Sequence, residues 1–199
     1  SGAMRKVATE TGDHGIGELI RVVHMADDAG ALRDFYARVF GGYVFYGVDE
    51  PGYYDVEDRY AALVMVADLC IETMAPRMGD PGVAASPQLP VGKFFTKFGT
   101  HLHSVGYKVE DLPGLTDRLV GRGIAVSRPG GGRVEKAEPD LLYAVPSPRQ
   151  TAGLLAELSK HDVPNDPRVL DTWSSLATVL QHNPLTIERF DAVLLGVRD

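Results

Sequence analysis

Two glutamates sit where acids are costly to place. Glu72 lies in the apolar run 69–74 and Glu157 in the apolar run 153–158. A carboxylate buried in such a strand needs a partner, because desolvating it alone costs several kcal/mol or more. Two functions fit this pattern: metal ligation, or an acid/base pair converging in a cavity. A structural salt bridge fits it equally. Three histidines add to the candidates. His101 and His103 share one face of a strand-like run over 101–109, and Ser104 points to the other face. Val105, Tyr107 and Val109 share the face of His103 and are the apolar set expected to meet a helix, which turns His103 away from a cavity unless a bulge reverses it. His103 is therefore either a structural residue or a ligand and catalyst. His24 is expected to bond locally at a strand end.

Other groups carry weaker signals. Gly130-Gly131-Gly132 with Arg128, Arg133 and Lys136 resembles a phosphate cradle in composition. It lacks the strand–loop–helix context of one, so a hairpin turn is expected. Cys70 beside Ile71 is expected as a small buried residue. Tyr43, Phe45, Tyr53, Tyr54 and Tyr60 either line a ligand cavity or fill the core.

These side chains must be positioned by regular elements. The run 19–25 is a strand, and Asp27-Asp28 precede a helix over 31–40 with apolar residues at i, i+3, i+4 and i+7. Gly41-Gly42 stops it. Strands follow at 43–48, 60–66 and 69–74. The Gly- and Pro-rich stretch 77–99 reads as a linker lying over the body. A second unit repeats the first. It has a strand at 101–109, Asp111 at the place of Asp28, a helix over 112–121, and strands at 124–127, 141–145 and 153–158. A repeat of one supersecondary unit predicts two half-domains that bury their sheets together. Residues 161–168 read as a linker and 170–180 as a helix. Residues 187–199 read as a strand opening a further unit, either cut from a longer tandem protein or completing a sheet in the same or a neighbouring molecule.

Composition narrows the class. The chain has 199 residues with one cysteine, 20 Lys and Arg against 27 Asp and Glu, and a net charge of −7. No internal disulfide or cysteine zinc cage is possible. The acidic balance argues against a nucleic-acid partner, and no apolar run reaches the ~20 residues of a membrane span. A cytoplasmic protein is expected, with residues 1–17 as tag remnant and flexible leader.

The stretch 28–41, ending Phe35-Tyr36-Ala37-Arg38-Val39-Phe40-Gly41, resembles the first helix of the vicinal oxygen chelate family, the glyoxalase/bleomycin-resistance/dioxygenase group. The stretch 101–112 is similar to the strand that opens that family's second half. Ile71-Glu72-Thr73-Met74-Ala75-Pro76 and Gly153-Leu154-Leu155-Ala156-Glu157-Leu158 look like the strands that end its halves. The resemblance implies an α+β fold of two βαβββ units, 18–76 and 100–160 within a domain 18–160, whose curled mixed sheets surround a shared cavity. A C-terminal extension, 161–199, follows. It also implies a divalent-metal site with His from two strands and Glu or Gln from two others. Glu72 and Glu157 match the acidic positions, but Arg21 and Ser104 stand where histidines are usual. Arginine does not ligate metals and a serine hydroxyl is a poor ligand.

Three functions are expected from this. The first is a small-molecule-binding or -converting protein with a metal-free or atypical cavity. There Glu72, Glu157 and His103 are catalytic candidates, and Arg21, Ser104, Tyr43 and Phe45 are ligand contacts. The second is a lyase, isomerase or ring-cleaving dioxygenase using one divalent metal ion held by Glu72, Glu157 and His103. The third is a non-catalytic domain that docks a partner. A homodimer or a tandem partner domain is expected.

Overall fold

The computed structural model describes residues 14–160, 163 and 165–194. In chain order they form β1 (Ile16–Met25), α1 (Ala29–Phe40), β2 (Tyr43–Tyr46), β3 (Gly52–Tyr54), β4 (Arg59–Val66), β5 (Leu69–Pro76), α2 (Pro90–Phe98), β6 (His101–Val109), α3 (Leu112–Gly121), β7 (Val126–Ser127), β8 (Arg133–Val134), β9 (Tyr143–Pro146), β10 (Ala156–Ser159) and α4 (Trp173–Leu180). Two compact units emerge. Among the described residues the first draws on 21–103 and 163–191, the second on 14–20, 104–160 and 192–194. The fold is α+β, with a mixed sheet in each unit.

In the first unit the strand order is β2-β4-β5-β1, with β3 on β4. β1 runs parallel to β5, pairing Val23 with Glu72 and Met25 with Met74. β4 and β5 form a hairpin whose register sets Leu63 opposite Glu72 and Ala61 opposite Met74. Paired residues share a face, and faces alternate along each strand. One face therefore carries Arg21, Val23, Met25, Arg59, Ala61, Leu63, Glu72 and Met74. The opposite face meets α1, where the Thr73 hydroxyl donates to the Ala29 carbonyl at 3.0 Å. Asp28 caps α1 by accepting from the Ala31 N–H at 2.9 Å. Gly41 ends it in the left-handed region at φ 62.

Residues 77–99 are not a plain linker, because α2 occupies their second half. Pro90 sits at the helix start, and Val91, Phe94, Phe95 and Phe98 repeat at helical spacing, a short signal outweighed in the sequence by Gly and Pro. α2 buries Val91 and Phe95 against Val23, Met25 and Met74, on the face that carries Glu72.

In the second unit β6-β10-β9-β7-β8 are neighbours. β6 and β10 are parallel, with Glu157 opposite Gly106 and Leu158 opposite Tyr107. Asp111 caps α3 by accepting from the Gly114 N–H at 2.9 Å. Val109, Leu112, Leu115, Val126, Val134, Ala144 and Leu158 form the core under α3. The Pro-Gly-Gly-Gly segment joins β7 to β8 as a turn, and Arg128 pairs with Glu138 rather than facing a cradle. β1 starts earlier than expected, at Ile16, where the His14 and Gly15 carbonyls accept from the Asp111 and Glu110 N–H groups.

The C-terminal helix forms as α4, with Trp173 and Leu180 buried. Residues 187–194, expected as a strand, carry no secondary structure, and 195–199 lie outside the described residues. The reason is local. Asn183 accepts from the Leu185 and Ile187 N–H groups and donates to the Leu180 and Ile187 carbonyls, folding the chain back on itself. The Phe190 N–H goes to the Asp68 carboxylate at 2.7 Å instead of to a sheet ladder. Residues 1–13 also lie outside the described residues. Among the described residues no helix is long and apolar enough to cross a membrane.

Candidate functional site

The register of β1, β4 and β5 gathers charged side chains around Glu72. Arg21 Nε lies 2.9 Å from Glu72 Oε2, a charge contact rather than an aligned hydrogen bond. Arg59 Nη1 donates to Glu72 Oε1 at 2.8 Å, and Arg59 Nε to Glu57 Oε2 at 2.7 Å. The Arg59 guanidinium also lies over the Tyr54 ring, 4.4 Å from its centroid. The Tyr54 hydroxyl in turn donates to the Tyr46 hydroxyl at 3.2 Å. Burial, then the bond to Tyr46, pushes the Tyr54 phenol well above its ordinary value. A guanidinium faces each Glu72 oxygen, and such pairing is how a buried carboxylate is tolerated. Arg59 and Glu72 are 8% and 7% exposed, so the pairing is shielded from solvent.

The second unit builds its counterpart differently. Ser104 on β6 and Glu157 on β10 are both buried and share a face, because Glu157 pairs with Gly106, two residues beyond Ser104. The Ser104 hydroxyl donates to Glu157 Oε1 at 2.7 Å.

The other candidates have these neighbours. His103 stands edge-on to Phe94 of α2, ring centroids 4.5 Å apart. His24 Nδ1 is 2.8 Å from the Tyr36 hydroxyl on the α1 face. Burial, with the nearby His101, lowers its pKa. Tyr43 is 44% exposed at the edge of the sheet, while Phe45 is buried at an irregularity in the β2–β4 pairing. Cys70 is fully buried, and burial pushes its thiol up to about 12. A cleft of about 380 Å³ in the first unit opens at the start of α1, bordered by Asp27, Glu50, Tyr60 and Arg77; neither Glu72 nor Arg21 lines it.

Arg59, Glu57 and Tyr46 are the members that sequence reasoning missed, whereas Tyr54 was among the aromatics it named. The signal was present in the two-residue turn Ala67-Asp68, which sets Val66 opposite Leu69 and so fixes the hairpin register. Counting back places Arg59 on the face of Glu72.

The donor set does not fit a divalent cation at Glu72. Both carboxylate oxygens already face guanidinium groups, and like charges near 4 Å repel by about 4 kcal/mol per unit pair at an effective dielectric of 20. Among the described residues no three of His, Cys, Asp and Glu come together as a metal-holding group.

The model of the Glyoxalase/Bleomycin resistance protein/Dioxygenase superfamily matches residues 18–137. Among solved structures, methylmalonyl-CoA epimerase from Mycobacterium tuberculosis is similar with 20% identity, covering 73% of this chain and 88% of that one at a TM-score of 0.55. A Streptomyces coelicolor methylmalonyl-CoA epimerase in complex with 2-nitronate-propionyl-CoA is similar with 17% identity, 71% and 92% coverage and a TM-score of 0.52. A hypothetical protein from Bacillus halodurans has 15% identity, 73% and 95% coverage and a TM-score of 0.54. At these identities the likeness is one of fold. Comparison with curated proteins gives no match.

Proposed function

This chain belongs to the glyoxalase/bleomycin resistance protein/dioxygenase superfamily, and from that premise we propose that it binds or converts a small molecule without a metal ion at Glu72. One observation carries the reading: each Glu72 oxygen is within 2.9 Å of a guanidinium nitrogen. The positive charge that a cation would bring is already supplied by Arg21 and Arg59. Glu72 then serves as the anchor of a polar floor. Glu157, bonded by Ser104, is the acid that meets the ligand or moves a proton.

Metal analysis of protein purified without chelator tests this. The expected result is far less than one equivalent of Fe, Mn, Ni or Zn and a melting temperature insensitive to EDTA. About one equivalent of metal, lost in Glu72→Ala, overturns the reading.

A further inference from the structure

We propose that Arg59, and not Arg21 alone, is the residue that denies Glu72 to a cation. This deepens the metal-free reading above and rests on it. Arg21 occupies the position that drew attention in the sequence, and its Nε lies 2.9 Å from Glu72 Oε2. Arg59 holds the other oxygen and is itself fixed from several sides. Its fork binds two different anions, Glu72 through Nη1 and Glu57 through Nε. Its flat face rests on Tyr54, whose hydroxyl is bonded to Tyr46. A guanidinium fixed at both its edge and its face has little freedom left to move aside for an incoming ion. The tripeptide Glu57-Asp58-Arg59 is itself anchored. Buried Asp58 accepts from Tyr53 at 2.7 Å, from Arg77 at 2.7 and 3.1 Å, and from Ser86.

The consequence is specific. Replacing Arg21 with a metal-ligating residue leaves Glu72 Oε1 engaged, so the acid is not released. Two changes, one at each guanidinium, are needed before Glu72 accepts a divalent ion. Arg59 thus sets the specificity of the first unit's polar floor for guanidinium over metal.

The experiment uses Mn²⁺ or Ni²⁺ alone as the probe, with the whole chain in four forms: wild type, Arg21→His, Arg59→Met and the double variant. Bound metal is measured after desalting, and affinity by calorimetry. Wild type and Arg21→His are expected to retain almost none. The double variant is expected to bind roughly tenfold or more tighter than Arg21→His. Arg21→His binding as tightly as the double variant, with wild type empty, overturns the role of Arg59 and leaves the metal-free reading standing. A double variant that binds no tighter than wild type also overturns it. Wild type that already binds stoichiometric metal at Glu72 overturns the earlier reading instead. If the double variant loses cooperative unfolding, metal binding is read instead from Arg21→His combined with Arg59→Gln, which removes the guanidinium from Glu72 while leaving an amide donor for Glu57. Binding no tighter than in Arg21→His overturns the proposal.

Discussion

Arg21 and Ser104 each stand seven residues ahead of the aspartate that caps the next helix, and Glu72 and Glu157 each lie on the strand running parallel beside them. The backbone frame of the two units is the same at these points. Their neighbours differ. In the first unit a guanidinium nitrogen approaches each oxygen of the acid, whereas in the second a serine hydroxyl donates to one oxygen. A repeated motif fixes where a side chain projects and leaves its charge free to diverge. One half of such a pair can become structural while the other keeps a group able to meet a ligand.

The sharpest way to break this comparison is to make the same change in both units. Glu72→Gln removes the buried negative charge that two guanidiniums contact and is expected to cost on the order of 3 kcal/mol. Glu157→Gln keeps an acceptor for Ser104 and is expected to cost less. Urea unfolding midpoints measure both, and equal costs would dissolve the distinction between clamp and hydrogen bond. The helix caps sharpen it at smaller scale. Asp28→Ala is expected to cost about 1 kcal/mol. Asp111→Ala should lower the melting temperature more, because Asp111 also pairs with His14 at 3.0 Å. His14, then the Gly114 N–H, holds the Asp111 carboxyl below its usual 3.8, so its contribution is present above that value and fades as pH falls through the lowered one. A larger melting shift for Asp28→Ala would contradict this.

The smallest effect concerns His24, whose counterpart four residues before the second cap is Tyr107. Burial makes folded His24 hold its proton more weakly than the unfolded chain does. Stability is therefore expected to fall as pH drops through 6.5 and to level off once the folded protein also binds the proton. Thermal melts across this range should show the slope in wild type and a flatter profile in His24→Gln. An unchanged slope would place the acid sensitivity elsewhere.

Legibility followed the range of the interactions. α1 and α3 were readable because a capping aspartate, an apolar period and a glycine stop lie within about a dozen residues of one another. The alternation that turned Ser104 away from Val105 and Val109 was equally local. α2 was hidden because Pro90, Gly92 and Gly99 resemble linker composition, although Gly92 serves to let the helix lie against the Ser86 carbonyl, where a Cβ would clash. The apolar run beyond 187 looked like a strand, but a strand needs a partner edge, and Asn183 redirects the backbone first. Glu72 was found from the cost of burying it. Arg59 was missed because its role depends on a pairing thirteen residues away in sequence.

Cys70 shares the face of Glu72 and is its neighbour but one along β5. It is the chain's single sulfhydryl, with no measurable exposure and a proton that burial makes hard to remove. That combination makes it silent toward thiol reagents while the first unit stays closed. Each labelling event therefore records an opening of that sheet and nothing else in the molecule. The protein carries its own counter of excursions from the folded state, placed two residues from the acid whose surroundings are in question.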